Sequence, residues 1–369
     1  MSNDERDGFF RRWSELNTAR TATPPPSGRR RRTRRLLMMV LVLAVAGTIT
    51  GVAAGYLITG HLSGNVRRID GAFQGIDPSQ RPAPAPSDDG GQTILAVGLD
   101  VRSDDQTTGQ AATDPQASQS GDRSDTIMLV RFDSVRRSAA VVSIPRDSWV
   151  DIPGQGTMKI NAAYARGGPP LLIRTVEQLT GVRIDHFMVI DFAGFRSVVD
   201  ALGGVDIQVS QDTTDLAGNR FQRGTDHLDG RLALAYVRQR HGLPDGDLDR
   251  VRRQQSFLRA VFVKASAADP AADPVEAYHL LDAFTQSITV DTGYTDGDLR
   301  QLAVDAMKLD GNSIWFLTAP VSGEGMEGDQ SVVYLDKTRD AQLWQAMRTD
   351  AIGGYVTVNP ADLLPATTP

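Results

Sequence analysis

Three short stretches of this 369-residue chain carry side chains that could work together. Asp100 ends the apolar run Thr93–Leu99, Asp125 immediately precedes the run Thr126–Asp133, and Pro145-Arg146-Asp147 follows the run Ala139–Ile144. If these runs pair as antiparallel strands, the end of the first, the start of the second and the end of the third share one sheet edge. Two carboxylates and a guanidinium would then meet. Mg²⁺ commonly takes only one or two protein carboxylates, so Asp100 and Asp125 suit it, with Mn²⁺ as a substitute. Arg146 would grip a phosphate oxygen bidentately. The same aspartates could also do no more than terminate strands.

A second constellation runs from Tyr236 to Gln255. Arg238 and Arg240 are two residues apart and share a face if extended; Arg250 and Gln254 are four apart and share a face on a helix. Between Arg231 and Arg259 there are seven arginines against three acids. A phosphate or pyrophosphate ligand accounts for that excess, and a solvated basic face paired with Asp245, Asp247 and Asp249 is the competing account. A nucleic-acid strand would want interleaved aromatic platforms, and only Tyr236 and Phe257 are near.

Other chemistries drop out. The chain has no cysteine, which removes disulfides, thiolate metal sites and cysteine nucleophiles. It has no GxSxG elbow, HExxH zinc pair or GxxxxGK phosphate loop. Its five histidines are scattered, with only His241 beside the arginine pair.

The elements that must hold these residues alternate in type. The three apolar runs read as strands, with a long polar loop over 100–125. A helix over Pro169–Thr180, a strand over His186–Ile190, a helix over Phe192–Leu202 and a strand over Val205–Val209 follow. A helical stretch Leu228–Val237 and a strong helix Leu248–Lys264 carry the arginines. Helices near Glu276–Gln286, Asp296–Lys308 and Thr338–Arg348 flank a strand at Ser313–Leu317. This alternation predicts an α/β domain over residues 91–350, with residues 351–369 as a C-terminal tail.

Ahead of it, Leu36–Ile58 is 23 residues without a charge. At about 1.5 Å per residue that is roughly 34 Å, enough to cross a hydrocarbon core. A cleaved signal peptide would have a shorter apolar region, so a retained membrane helix is expected. Arginines at 29–32, 34 and 35 keep residues 1–35 cytoplasmic and put the rest outside the cell membrane. Gly47, Gly51 and Gly55 recur every fourth residue, a pattern that could pair two such helices into a homodimer. Residues 59–90, rich in Pro, Ala and Ser, read as an extracytoplasmic spacer. The net charge of −6 divides into +6 for residues 1–35 and −12 for the remainder, which argues against nucleic-acid binding by the bulk of the chain.

These residues resemble the motifs of the LytR-CpsA-Psr family of cell-envelope proteins. The resembling strings are VGLD ending at Asp100, RSDT at Arg123–Thr126, SIPRD at Ser143–Asp147, KINAAY at Lys159–Tyr164 and YVRQRHG…DLDRVRRQQ at Tyr236–Gln255, spread over about 160 residues in the family's order. FLTAPVSG at Phe316–Gly323 agrees, as does the membrane helix in front. Leu99 stands where the family often has Ser or Val.

The resemblance implies a three-layer α/β/α domain around a mixed, largely antiparallel sheet, behind one transmembrane helix. It implies a phosphotransferase that moves a glycopolymer from a polyprenyl-pyrophosphate carrier to a peptidoglycan hydroxyl. Asp100 and Asp125 would bind the metal. Arg146, Arg238, Arg240, Arg250 and Gln254 would hold the pyrophosphate, with Arg123 and Lys159 reaching it too; Asp125 or Asp147 could serve as base, or Asp147 as an orienter. Walls for the prenyl chain are sought at Phe187, Val189, Phe192 and Phe195. A carrier-binding scaffold without turnover, a membrane-tethered transcription attenuator and a simple carrier pyrophosphatase are the alternatives. The arginine bias, 35 against 4 lysines, suggests a GC-rich, actinobacterial source and arabinogalactan or a related polymer.

Overall fold

A computed structural model describes residues 62, 64–84, 91–99, 126–133, 137–191, 194–239, 241–267, 273–306, 309 and 313–369. All belong to the unit His61–Pro369. The expected membrane helix Leu36–Ile58 and the basic tail lie outside the described residues. Among the described residues no helix is long and apolar enough to cross a membrane.

The three apolar runs form neighbouring strands: β2 (Gln92–Leu99), β3 (Thr126–Asp133) and β4 (Ser138–Ile144), after a short β1 (Arg67–Ile69). Next come the hairpin β5 (Trp149–Ile152) and β6 (Gly156–Lys159), helix α1 (Asn161–Thr180), β7 (His186–Asp191), α2 (Phe195–Ala201) and β8 (Val205–Val209). Two-residue strands β9 (Thr213–Thr214) and β10 (Arg220–Phe221) precede β11 (Gly224–Leu228), α3 (Gly230–Arg238), α4 (Asp247–Ala267), α5 (Pro274–Gln286) and β12 (Ile288–Asp291). The chain closes with α6 (Asp296–Ala306), β13 (Ile314–Thr318), the hairpin β14 (Val321–Glu327) and β15 (Gln330–Leu335), α7 (Lys337–Arg348) and α8 (Ile352–Val358).

Seven strands make the central sheet in the order β1-β12-β7-β2-β3-β4-β13. Of its neighbour pairs, β1–β12, β2–β7 and β4–β13 are parallel and β7–β12, β2–β3 and β3–β4 antiparallel. The sheet is therefore evenly mixed, which corrects the expectation of a largely antiparallel one. The parallel partners arrive through helical crossovers that the strand runs alone do not reveal.

Both sheet faces are covered, as the near-continuous apolar strands require. On one face Leu95, Val97, Leu129 and Val142 pack with Ile173 of α1, Trp344 of α7 and Tyr355 of α8. On the other, Ile94, Ala96 and Met128 pack with Val199 of α2, Tyr236 of α3 and Phe257 of α4. Helix α1 begins earlier than the Pro169–Thr180 reading and kinks at Gly168, whose φ of 60 precedes Pro169 and Pro170. It stops at Gly181 in the left-handed region, whose N–H returns to the Glu177 carbonyl. Asp229 caps α3 by accepting from the Leu232 N–H at 2.7 Å.

Two expectations about the ends change. Within the stretch read as a spacer, Val66, Ile69 and Ala72 are buried, β1 pairs with β12, and Arg81 donates to Glu177 at 2.7 Å. Residues 351–369, read as a tail, carry α8 and end with Thr368 fully buried, its hydroxyl 2.6 Å from that of Tyr236. Composition rich in Pro, Ala and Gly disguised both segments.

Candidate functional site

The strand register sets one sheet edge. Gly98 lies opposite Thr126, Ile127 opposite Ile144, and Ser143 beside Thr318. The last described residue of β2, the first of β3 and the ends of β4 and β13 therefore converge, as antiparallel pairing of the first three runs requires. Asp100, Arg123, Asp125 and Arg240 lie outside the described residues.

After Ile144 the chain turns tightly, with the Ser148 N–H on the Pro145 carbonyl at 3.0 Å. This turn presents Arg146 and Asp147. Hairpin β5–β6 then brings Lys159 back, since Trp149 pairs with Lys159. Lys159 Nζ stands 3.0 Å from Asp147 Oδ1, and Arg146 Nε 3.7 Å from Asp147 Oδ2. One carboxylate thus lies between two cations, and all three side chains keep some solvent exposure. Both Asp147 oxygens face cations.

Helix α4 reaches the same edge. The Thr126 hydroxyl donates to Gln254 Oε1 at 2.7 Å. The next residue, Gln255, donates through Nε2 to Ser143 Oγ at 2.7 Å and to the Leu317 carbonyl at 2.5 Å. These bonds bind the helix to β3, β4 and β13 together. Arg250, one turn ahead of Gln254, is 1% exposed. Thr126 and Gln255 were absent from the expected site; the RSDT string at 123–126 was the available signal for the first.

The arginine cluster divides. Arg252 donates to Asp245 and Asp249, both at 2.7 Å. Arg253, fully buried, donates to Thr213 Oγ1 at 2.7 Å, Gln239 Oε1 at 2.8 Å and the Pro369 carbonyl at 2.5 Å, and lies 4.2 Å from the Tyr236 ring centre. Burial pushes its guanidinium down to about 10. Arg259 donates to the carbonyls of Pro365 and Ala366. These three hold the fold, so the local charge excess overstates what a ligand could meet.

Arg238 ends α3 and lines a cavity of about 600 Å³ with Arg196, Arg231, Asp215 and His241. None of Arg146, Lys159, Arg250 or Gln254 lines that cavity. Three guanidiniums around one recess suit an anion. Arg196 comes from α2, and nothing in its local sequence signalled it.

The proposed prenyl walls resolve toward packing. Phe187 and Val189 are fully buried in the core, with Phe187 stacked on Tyr164 at 6.3 Å between ring centres. Phe192 and the Phe195 side chain lie outside the described residues. Among the described residues no group of three or more His, Asp or Glu side chains gathers in a metal-binding cluster.

The LytR_cpsA_psr family model matches residues 63–349. The cell wall biosynthesis protein LcpA of Corynebacterium glutamicum is 33% identical over 333 residues, covering 80% of this chain and 61% of LcpA. The probable cell wall biosynthesis protein LcpB of the same organism is 32% identical over 315 residues, covering 82% of this chain and 71% of LcpB. The chain thus spans under two thirds of LcpA's length. The solved structure of B. subtilis TagT bound to LIIa-WTA superposes with a TM-score of 0.55 at 25% identity, covering 78% of this chain and 96% of that one. On the strength of the matched residues and these relatives, the chain belongs to the LytR-CpsA-Psr family.

Proposed function

We propose that this protein is a membrane-anchored, extracytoplasmic phosphotransferase. It moves a glycopolymer from a polyprenyl-pyrophosphate carrier onto a peptidoglycan hydroxyl and leaves a phosphodiester. The observation that carries this reading is the gathering of Arg146 and Lys159 about Asp147 at the sheet edge where Thr126 fastens Gln254. Family membership supports it, as do the cell-wall name of LcpA and the teichoic-acid ligand of TagT.

In this reaction the acceptor oxygen bonds to the sugar-bearing phosphorus while the bond from that phosphorus to the polyprenyl phosphate breaks. The hydroxyl proton passes to a carboxylate at the edge or to water. Phosphoryl transfer asks a protein mainly for positioning and charge stabilisation. Arg146 and Lys159 would bind phosphate oxygens, Asp147 would hold both cations in place, and Arg250 and Gln254 would bear on the same group from α4. Arg238, which lines a recess that Arg146 and Lys159 do not, would with Arg123 and Arg240 hold another part of the pyrophosphate donor.

The register supports a metal at this edge. Gly98 and Thr126 are direct partners, and in sequence Asp100 comes two residues after the one and Asp125 one residue before the other. Two carboxylates are the hard oxygen donors Mg²⁺ or Mn²⁺ prefers. Bound there, the ion would neutralise charge on the departing phosphate.

The test is transfer of a synthetic polyprenyl-pyrophosphate oligosaccharide to peptidoglycan fragments by the full chain in detergent. Product should form only with Mg²⁺ or Mn²⁺ and should fall at least about a hundredfold in Arg238→Ala and Asp125→Ala. Normal rates in both variants would sink the reading. Tight lipid binding with no product at any metal concentration would replace it with a carrier-binding scaffold.

A further inference from the structure

On the α1 and α7 side of the molecule lies an open groove of about 1090 Å³, larger than an ordinary small-molecule site. One wall is Trp149 and Asp151 on hairpin β5–β6; the other is Tyr334 on β15 and the start of α7. Asp340 and Trp344, four residues apart on α7 and so on one face, also line it.

Those last two residues are unusual. Asp340 is 6% and Trp344 2% exposed, yet neither Asp340 Oδ1 nor Trp344 Nε1 has a hydrogen-bond partner. Leaving a buried donor or acceptor unmade costs about 1–3 kcal/mol each. An unpaired acceptor and an unpaired donor one helical turn apart suit a ligand that supplies both kinds of group. Trp149 and Tyr334 are half-buried, so their rings offer apolar surface at the groove walls. The lining sets Asp151, Asp336 and Asp340 against Lys337 and Arg348, so its charge is nearly balanced and does not single out an anion.

A saccharide answers each demand. The C–H face of a sugar ring buries apolar area on an indole or phenol, while its hydroxyls and amides donate and accept at the edges. Amide N–H groups can donate to the carboxyl oxygens of the lining. The groove also joins the reaction edge: Ser148 bridges to Val333, and the Val333 N–H donates to the Asp147 carbonyl at 2.9 Å.

We propose that this groove is a second binding site, for an N-acetylated amino-sugar stretch of the acceptor glycan. Only the word acceptor rests on the transferase reading; the saccharide site itself does not.

Saturation-transfer NMR on the full chain in detergent micelles, with chitotetraose as probe and cellotetraose beside it, tests the proposal. Chitotetraose should receive saturation on its ring and acetyl protons. Trp149→Ala and Trp344→Phe should each weaken its binding by about tenfold, or about 1.4 kcal/mol. No transfer to chitotetraose at about 10 mM, the weak end of measurable affinity, overturns the proposal. Unchanged binding in both variants, which places the sugar elsewhere, overturns it too. Equal binding of cellotetraose overturns the assignment to amino sugars. The titration contains no lipid donor and no metal, so the groove and the transfer reaction fail separately.

Discussion

Thr126 Oγ1 donates to Gln254 Oε1 at 2.7 Å, inside the protein, across 128 positions of sequence. That bond settles which face of α4 meets the sheet edge, and with it the placement of Arg250 one turn earlier. Thr126→Val keeps the shape and removes the donor, leaving a buried acceptor unmade. It should cost about 1–2 kcal/mol of stability in urea denaturation and lower the transfer rate by about tenfold. An unchanged rate in the folded variant would show that Gln254 needs no such anchor.

Asp147 gives a second expectation. With Lys159 at 3.0 Å and Arg146 at 3.7 Å, its carboxylate positions cations that would hold phosphate. Asp147→Asn keeps the size and loses the charge, so the apparent KM for the lipid donor should rise several-fold while kcat changes less. A fall in kcat alone, together with a lost limb of the pH–rate profile, would instead identify Asp147 as the base.

Asp340 makes a prediction about pH. Burial, followed by the neighbouring Asp336, pushes its carboxyl up to about 7. The folded protein therefore holds a proton between about pH 4 and 7 that the unfolded chain has released, so stability falls as pH rises through that window. Asp340→Asn should remove this slope and be more stable than the parent at pH 8 by about 1–3 kcal/mol, measured by urea denaturation at pH 5 and pH 8. A parent and variant with parallel pH dependence would contradict it.

Arg253 yields a fourth. It is buried with hydrogen bonds to Thr213, Gln239 and Pro369 and rests on the Tyr236 ring. Arg253→Ala removes those bonds and the stacked cation together, and should cost about 3–5 kcal/mol, read as a lower Tm. Lys in its place should rescue little, because one ammonium cannot serve three acceptors in a planar fork.

What the sequence made legible follows from how each element is stabilised. β2, β3 and β4 are buried on both faces, so their residues form unbroken apolar runs, and β3 begins and ends at the expected Thr126 and Asp133. Hairpins β5–β6 and β14–β15 escaped notice because β6 and β14 bury no residue fully and carry glycine and polar side chains where an apolar run would signal a strand. The meeting of Asp147 with Lys159 was legible only as two separate motifs, since the contact depends on a hairpin absent from the strand reading. The arginine run misled in part. Arg252, Arg253 and Arg259 look like ligand-binding residues by type, and only tertiary placement reveals that acids, carbonyls and aromatic rings already engage them.

Asp147 also occupies a mechanical position. Its carbonyl receives the Val333 N–H at 2.9 Å, and the neighbouring Ser148 carbonyl receives the Ile160 N–H at 2.9 Å. Hairpin β14–β15 and the Lys159 strand are thus clamped to consecutive peptide units, with no slack loop between them. Tyr334 follows directly on the residue bonded to Asp147, so the trough's wall and the seat of the carboxylate share one backbone joint.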